Sequence, residues 1–309
     1  MARFDAGSHQ GMSDSAMTDI RHVEHELLQV YDYCPPTRTT FASEEAWLAY
    51  REFWGRFFSS LSVPPERFAG ARVLDAGCGS CEKAAFYHDW GGRVTGVDLS
   101  GEVLRHGRRS LGDRDVELLQ RSLFDLDRPA EYDIAIVDGV SFVTADTERA
   151  LKSVASQVKR GGVLLFSLTN VWGRFWWFGA ARTATRALGG SDFHKRARWG
   201  RRLFHWTRGS QEGTAKNTPF YRSDESWAYD WFGPPAYHLH SPAEIRRWLE
   251  EQGHEHLASV PSLMRKDPPV TVAARILRRL TGEGPRAMGL YWLVNRAPNM
   301  VYVSAVRTR

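Results

Sequence analysis

Apolar residues recur at helical spacing over residues 20–30 and 44–62. From residue 71 the pattern shortens to β-branched runs separated by helical stretches. The runs at 71–74, 93–97, 116–119, 132–137 and 163–167 are predicted strands, with helices over 80–90, 101–110 and 146–158. Strand and helix in alternation call for a parallel sheet covered on both faces, which binds ligands beyond the carboxyl ends of its strands. Ahead of it, one helix stops at Cys34-Pro35-Pro36. A second starts after Ser43, with Glu44 and Glu45 in its first turn, and ends before Val63-Pro64-Pro65. After the fifth strand the alternation breaks. It resumes at Ser241-Pro242-Ala243-Glu244, where Ser as N-cap, Pro at the first helical position and Glu two further on make a capping box. A strand over 254–262, a mixed stretch with Pro268-Pro269 and a closing strand over 300–307 complete the pattern. The expected organisation is a polar tail and helical cap (1–69), an α/β core (70–170), a lid-like insertion (171–240), and a last helix and closing strands with a second insertion (241–309).

The composition, 42% hydrophobic and 25% charged over 309 residues, is that of a folded chain and excludes disorder. Charge sharpens the picture, because the net +5 is local. Residues 172–209 hold nine bases (Arg174, Arg182, Arg186, Lys195, Arg196, Arg198, Arg201, Arg202, Arg208) against Asp192, and seven of the 12 Trp lie between 172 and 231. This insertion is where a partner-specific surface is expected. Three cysteines are too few for a secreted disulfide framework. The first residues lack a signal-peptide apolar stretch, and no run of about 18 apolar residues appears. The expected location is cytoplasmic.

The chemistry concentrates in Val73-Leu74-Asp75-Ala76-Gly77-Cys78-Gly79-Ser80-Cys81, a strand running into a glycine turn and a helix. Gly77 and Gly79 let backbone approach a ligand at the helix N-terminus. A dinucleotide fingerprint would place a third glycine where Glu82 stands. Asp75 and Glu82 would repel a pyrophosphate and attract a cation, which argues against a nicotinamide-dependent dehydrogenase. Asp98, at the end of the second strand, is placed to accept from both hydroxyls of a ribose. Cys78 and Cys81 form a CxxC, but with no second Cys pair no metal site is expected.

The run VLDAGCGSC followed by VTGVDLS resembles the cofactor motifs of class I S-adenosylmethionine-dependent methyltransferases. Tyr132 to Val140 is similar to that family's fourth strand and exit loop, and Lys159-Arg160-Gly161-Gly162-Val163 to its turn into strand five. The resemblance implies a Rossmann-like, seven-stranded, mostly parallel sheet and S-adenosylmethionine as cofactor. It implies cofactor contacts from Asp75, Gly77, Cys78, Gly79, Asp98, Leu99, Ser122, Leu123, Asp138 and Ser141. Tyr31-Asp32-Tyr33 is similar to an early element that covers the methionine end, though Tyr31 can equally pack the cap. Two positions depart from the family: Cys81 replaces the third glycine, and Ser122 stands where an acid often meets the adenine amino group, with Asp125 three residues on.

A methyl acceptor that arrives protonated needs a base, and Tyr237-His238-Leu239-His240 offers His238 and His240 on one side of an extended segment. Tyr221, His194 and His205 are weaker candidates. The basic, Trp-rich insertion is open to three readings: arginines and aromatics around a small anionic acceptor, contact with an anionic membrane, or single-stranded nucleic acid. Asp138-Gly139-Val140-Ser141 lacks the proline-aromatic run of the branch that methylates base amino groups, so nucleic acid is not expected. Tyr229-Asp230-Trp231-Phe232-Gly233-Pro234-Pro235 and Trp248-Leu249-Glu250 resemble segments of bacterial small-molecule methyltransferases. The expectation is methyl transfer to an oxygen or nitrogen of a small anionic or aromatic metabolite. A membrane-surface enzyme acting on a lipid or quinone, and a non-catalytic cofactor-binding protein, are the alternatives. Oligomeric state is left open.

Overall fold

The computed structural model describes residues 14–34, 43–170, 176–208, 224–260 and 300–308, with backbone alone for 14–18, 176–178 and 204–208. Seven strands form one sheet: β1 (Arg72–Ala76), β2 (Arg93–Asp98), β3 (Glu117–Gln120), β4 (Tyr132–Val137), β5 (Val158–Thr169), β6 (His254–Val260) and β7 (Met300–Arg307). Their order is β3-β2-β1-β4-β5-β7-β6. β1 to β5 run parallel, and β7 lies antiparallel between β5 and β6. The order reverses between β1 and β4, so a crevice opens at their carboxyl ends.

The central strands are apolar on both faces because both faces are covered. On one side Leu74, Ala76, Ala135 and Val137 pack with α5 (Thr147–Gln157) and α9 (Pro242–Glu251). On the other, Val73, Ile134 and Ile136 pack with Phe58, Phe68, Phe86 and Tyr87. These rings come from α2 (Glu44–Ser60), a short 3-10 turn (Pro65–Phe68) and α3 (Glu82–Asp89). The capping box at Ser241 and Glu244 is formed in both directions.

Some elements differ from their sequence reading. The first helix, α1, runs over Asp14–Tyr33 and so begins inside the polar opening. In α2 the apolar Leu48 and Phe53 are exposed, while Tyr50, Trp54 and Phe58 are buried. Lys159 to Gly162 lies within β5: Tyr132 pairs with Val158 and Ile134 with Val163, so the extra residues bulge.

Cys81, read as a tolerable stand-in for glycine, sits at φ 62°, a left-handed conformation that costs a side-chain-bearing residue energy. Its fully buried thiol fills the space beside Gly107 in α4 (Gly101–Leu111), where a Cβ would overlap Cys81 Sγ. Gly107→Ala is therefore expected to destabilise the protein by about 1–3 kcal/mol, as overpacking does. Cys81→Gly should rescue it. Denaturant melts of the two single variants and the double variant measure this, and additive costs would disprove the pairing.

The insertion between β5 and α9 contributes α6 (Trp176–Gly189), α7 (Phe193–Arg208) and α8 (Asp224–Phe232), which pack in sequence on one another. A Cβ at Gly200 would enter the Phe232 ring, so a glycine lets α7 and α8 approach closely. Tyr33 at the end of α1 packs on Phe193, His194 and Tyr229, and Glu26 pairs with the buried Arg196 at 3.4 Å. The first helix and the insertion are thus fastened together. No helix among the described residues is long and apolar enough to cross a membrane.

Candidate functional site

The strand ends open into a cleft of about 390 Å³, within the size range of small-molecule sites. Tyr31, Asp75, Gly77, Cys78, Gly79, Asp98, Leu99, Leu123 and Asp138 all line it. The turn after β1 is built for backbone approach: Gly77 and Gly79 have φ of 79° and 54°, and nothing lies within 4 Å of where a Gly79 Cβ would be. At Gly77 a Cβ would overlap Val140 in the loop after β4, which brings that loop against the turn. Asp98 is oriented by its own backbone neighbours. Oδ2 accepts from the Gly79 N–H and Oδ1 from the Ser100 N–H, each at 3.0 Å. Further acceptor capacity of the carboxylate remains for hydroxyl donors in the cleft.

The electrostatic character is one-sided. Glu24, Asp75, Glu82, Asp98, Asp138 and Asp230 line the cleft against, among the described residues, a single base, Lys83, which pairs with Asp138 and lies 4.0 Å over the Trp54 ring. Asp75 Oδ2 is buried and has no hydrogen-bond partner among the described residues. Burial pushes the Asp75 carboxyl up to about 7, with Lys83 opposing and Asp138, Glu82 and Asp98 adding to the rise. A desolvated carboxylate among like charges needs a cation. The donor set therefore fits a ligand carrying a ribose and positive charge.

Not every expected residue reaches the cleft. Ser141 is fully buried behind it, its hydroxyl donating to Ser167 O at 3.2 Å. Ser122 is buried, and its hydroxyl donates to Glu24. Asp125, considered as a substitute acid, is exposed and off the cleft wall. His238 and His240 do not line the cleft either. His238 Nε2 donates to Thr144 O at 3.0 Å, and its backbone N–H to Phe142 O at 2.8 Å, which ties the segment to the loop after β4. His240 is held by its N–H to Thr169 O, and burial lowers its basicity. The pair expected to supply a base thus fastens this segment to the loop after β4 and to β5, off the cleft wall. His194 hydrogen-bonds Tyr229 at 2.8 Å in the junction of α1, α7 and α8. Tyr221, Trp172, Arg174 and Pro268-Pro269 lie outside the described residues, as do the side chains of Trp176, Trp177, His205, Trp206 and Arg208.

Sequence reasoning missed the opposite wall, where Phe142, Trp231 and Tyr237 come together. Phe142 stacks on Trp231 at 6.5 Å and meets Tyr237 edge-on at 5.5 Å. Arginines of the insertion, of which Arg196 is buried, support this wall. Arg182 donates to the carbonyls of Trp231, Pro234 (2.6 Å) and Ala236 (3.2 Å) and lies 4.8 Å over the Tyr237 ring. Arg186 donates to Pro235 O at 2.9 Å, and Arg196 to Gly190 O and Gly233 O. None of the insertion's bases lines the cleft among the described residues, so these arginines do not grip an anionic acceptor there. The clue was Gly-Pro-Pro at 233–235, a turn whose prolines cannot donate backbone hydrogen bonds and whose carbonyls need donors from elsewhere.

Residues 73–162 match the family described as a methyltransferase domain. A ubiquinone biosynthesis O-methyltransferase from Thiobacillus denitrificans is 31% identical over 106 residues, 33% of this chain and 46% of that protein. A cypemycin N-terminal methyltransferase from Streptomyces is 29% identical over 105 residues, 33% of this chain and 43% of that one. The chain thus spans less than half the length of these relatives. The solved structure of PKMT2 from Rickettsia typhi superposes with a TM-score of 0.53 at 15% identity, covering 87% of this chain and 54% of that one, a likeness of fold. Residues 73–162 thus match a methyltransferase domain and lie within a seven-stranded, mostly parallel sheet of the Rossmann-like methyltransferase fold.

Proposed function

We propose that the protein transfers a methyl group from S-adenosylmethionine to an oxygen or nitrogen of a small, aromatic, uncharged or cationic acceptor. The observation that carries this reading is the pairing of a carboxylate-lined cofactor end with an aromatic wall in one cleft. When bound, the cofactor supplies a methyl on a positively charged sulfur, so the chain's residues need only bind, align and exclude water. The backbone of the Gly77 to Gly79 turn approaches the cofactor, and Asp98 accepts from its ribose. Asp75 balances its positive end. Phe142, Trp231 and Tyr237 sandwich a planar acceptor. Asp230, the carboxylate next to Trp231 on the cleft wall, takes the proton of an acceptor that arrives protonated. O-methyl transfer is named for the Thiobacillus relative and N-terminal methyl transfer for the Streptomyces one, so both acceptor atoms stay in view. Incubation with methyl-labelled donor and a panel of planar phenols and amines, read by mass spectrometry, tests the reading. A labelled product is expected, and Asp230→Asn should slow its formation without weakening cofactor binding. Label going only to carboxylated or phosphorylated acceptors would overturn the proposed acceptor class.

A pH dependence follows from Asp75. A cation beside it favours the ionised carboxylate, so binding releases a proton and tightens as pH rises through the value of about 7. S-adenosylmethionine, which carries the positive charge, is expected to bind about tenfold more tightly at pH 8 than at pH 6 in calorimetry, and with little pH dependence in Asp75→Asn. A flat wild-type profile would remove Asp75 from the role.

A second reading adds a membrane surface. The exposed side of α7 carries Lys195, Arg198, Arg201 and Arg202 around Trp199, which is 39% exposed, and Leu188 on α6 is 60% exposed. Bases around apolar side chains suit an anionic lipid surface, from which an apolar acceptor is drawn. Sedimentation with phosphatidylglycerol vesicles at low salt, reduced in Arg198→Glu/Arg201→Glu, supports it. Absence of sedimentation removes it.

A further inference from the structure

The sheet order sets the direction of the cofactor. With the glycine turn at the end of β1 and the ribose held by Asp98 at the end of β2, the next strand outward is β3, and the base must extend towards it. There the cleft wall is apolar, made by Leu99, Val103, Leu123 and Phe124, with Leu27 from α1 above. An adenine in this position presents an amino group with two N–H donors, and the strand-end residue that would meet it is Ser122. Its hydroxyl is already engaged, accepting from the Phe124 N–H at 3.0 Å and donating to Glu24 Oε1.

Glu24 is the polar exception on that wall. It lies one turn of α1 before Leu27 and two turns before Tyr31, on the stripe that faces the cleft. Ser122 orients one of its carboxylate oxygens. The other makes no hydrogen bond among the described residues. Burial raises the Glu24 carboxyl above its usual range, against the Ser122 hydrogen bond, as expected for a carboxylate short of donors. We propose that Glu24, carried by the N-terminal helix, accepts the hydrogen bond of the adenine amino group, in place of an acid at the end of β3. This rests on the cofactor reading given above. It also couples cofactor binding to α1, which is fastened to the same strand ends by Asp32, accepting from the Ser100 hydroxyl at 2.5 Å.

The test compares S-adenosylhomocysteine with its 6-deamino analogue, in which hydrogen replaces the amino group, by calorimetry on the full chain. Wild type is expected to prefer the amino compound by about tenfold or more, the worth of a hydrogen bond to a charged acceptor. Glu24→Met keeps the length of the side chain but not the acceptor, and should bind both compounds equally. Ser122→Ala removes the orienting hydrogen bond but leaves the acceptor, and should lower the preference without abolishing it. A merely structural Glu24 would weaken both ligands in parallel and leave the ratio intact, which overturns the proposal. Should Glu24→Met fail to fold, amide hydrogen exchange of wild type decides: the amino compound protects residues 20–33 more than its analogue does, and equal protection overturns the proposal. If neither compound binds wild type, the cofactor reading itself has failed, an outcome distinct from a lost preference.

Discussion

Asp98→Ala is expected to weaken S-adenosylhomocysteine binding by at least roughly a hundredfold, since two hydrogen bonds to a charged acceptor are each worth about 1.5 kcal/mol or more. The loss has a second source in this chain. The same carboxylate accepts from the Gly79 and Ser100 N–H groups, so its removal also releases the glycine turn from the end of β2. Calorimetry gives the affinity, and a thermal melt separates the two sources. Asp98→Asn, which retains a carbonyl oxygen, should melt closer to wild type than the alanine variant while still binding weakly. A Kd within about threefold of wild type would remove Asp98 from the ribose and, with it, the assignment of the cleft's cofactor end.

Arg182→Leu should produce the other large effect, on a different quantity. The guanidinium supplies three carbonyls of the turn from Trp231 to Ala236 and stacks on Tyr237, and although burial lowers its pKa to about 10 it remains charged at neutral pH. Leucine fills the space but leaves those carbonyls without donors. At about 1 kcal/mol or more per orphaned group, the cost is roughly 3 kcal/mol, or about 5 °C in Tm for a chain of this size. Because the turn carries the aromatic wall, methyl-transfer turnover should fall steeply while S-adenosylhomocysteine affinity stays within about threefold. Arg182→Lys is expected to fall between, a single ammonium being unable to serve three carbonyls in a fixed fork. An unchanged Tm, or cofactor affinity falling in step with turnover, would contradict this division of the cleft.

The meeting of the glycine turn and its acidic neighbours was legible because its parts are local in the chain. Strand, glycine turn and helix follow one another within residues 72–89, and Asp98 ends the next strand, so spacing alone brings Gly77, Gly79, Asp75 and Asp98 together. The aromatic wall joins a loop after β4 to residues about 90 positions later, and no local pattern encodes that meeting. The basic insertion misled for a related reason. Its arginines look like anion ligands when counted along the chain. In space, Arg182, Arg186 and Arg196 are consumed by backbone carbonyls that prolines and a sharp turn leave without partners. His238 and His240 were expected as bases because two imidazoles flank a segment near the strand ends, yet the sheet-end hydrogen bonds turn that segment into a strap.

By itself the sequence determined the layered α/β architecture, the parallel core and the chemistry of the cofactor turn, because hydrophobic period, glycine placement and the sign of nearby charges act over a few residues. Tertiary structure alone decided which distant groups meet at the cleft and behind it: Glu24 from the first helix on the wall with Ser122 behind it, Trp231 and Tyr237 against Phe142, and Arg182 and Arg196 holding the turn that backs them. Those contacts depend on how helices dock across the sheet, where burial and hydrogen-bond satisfaction over the whole fold, and no short-range preference, select the partners.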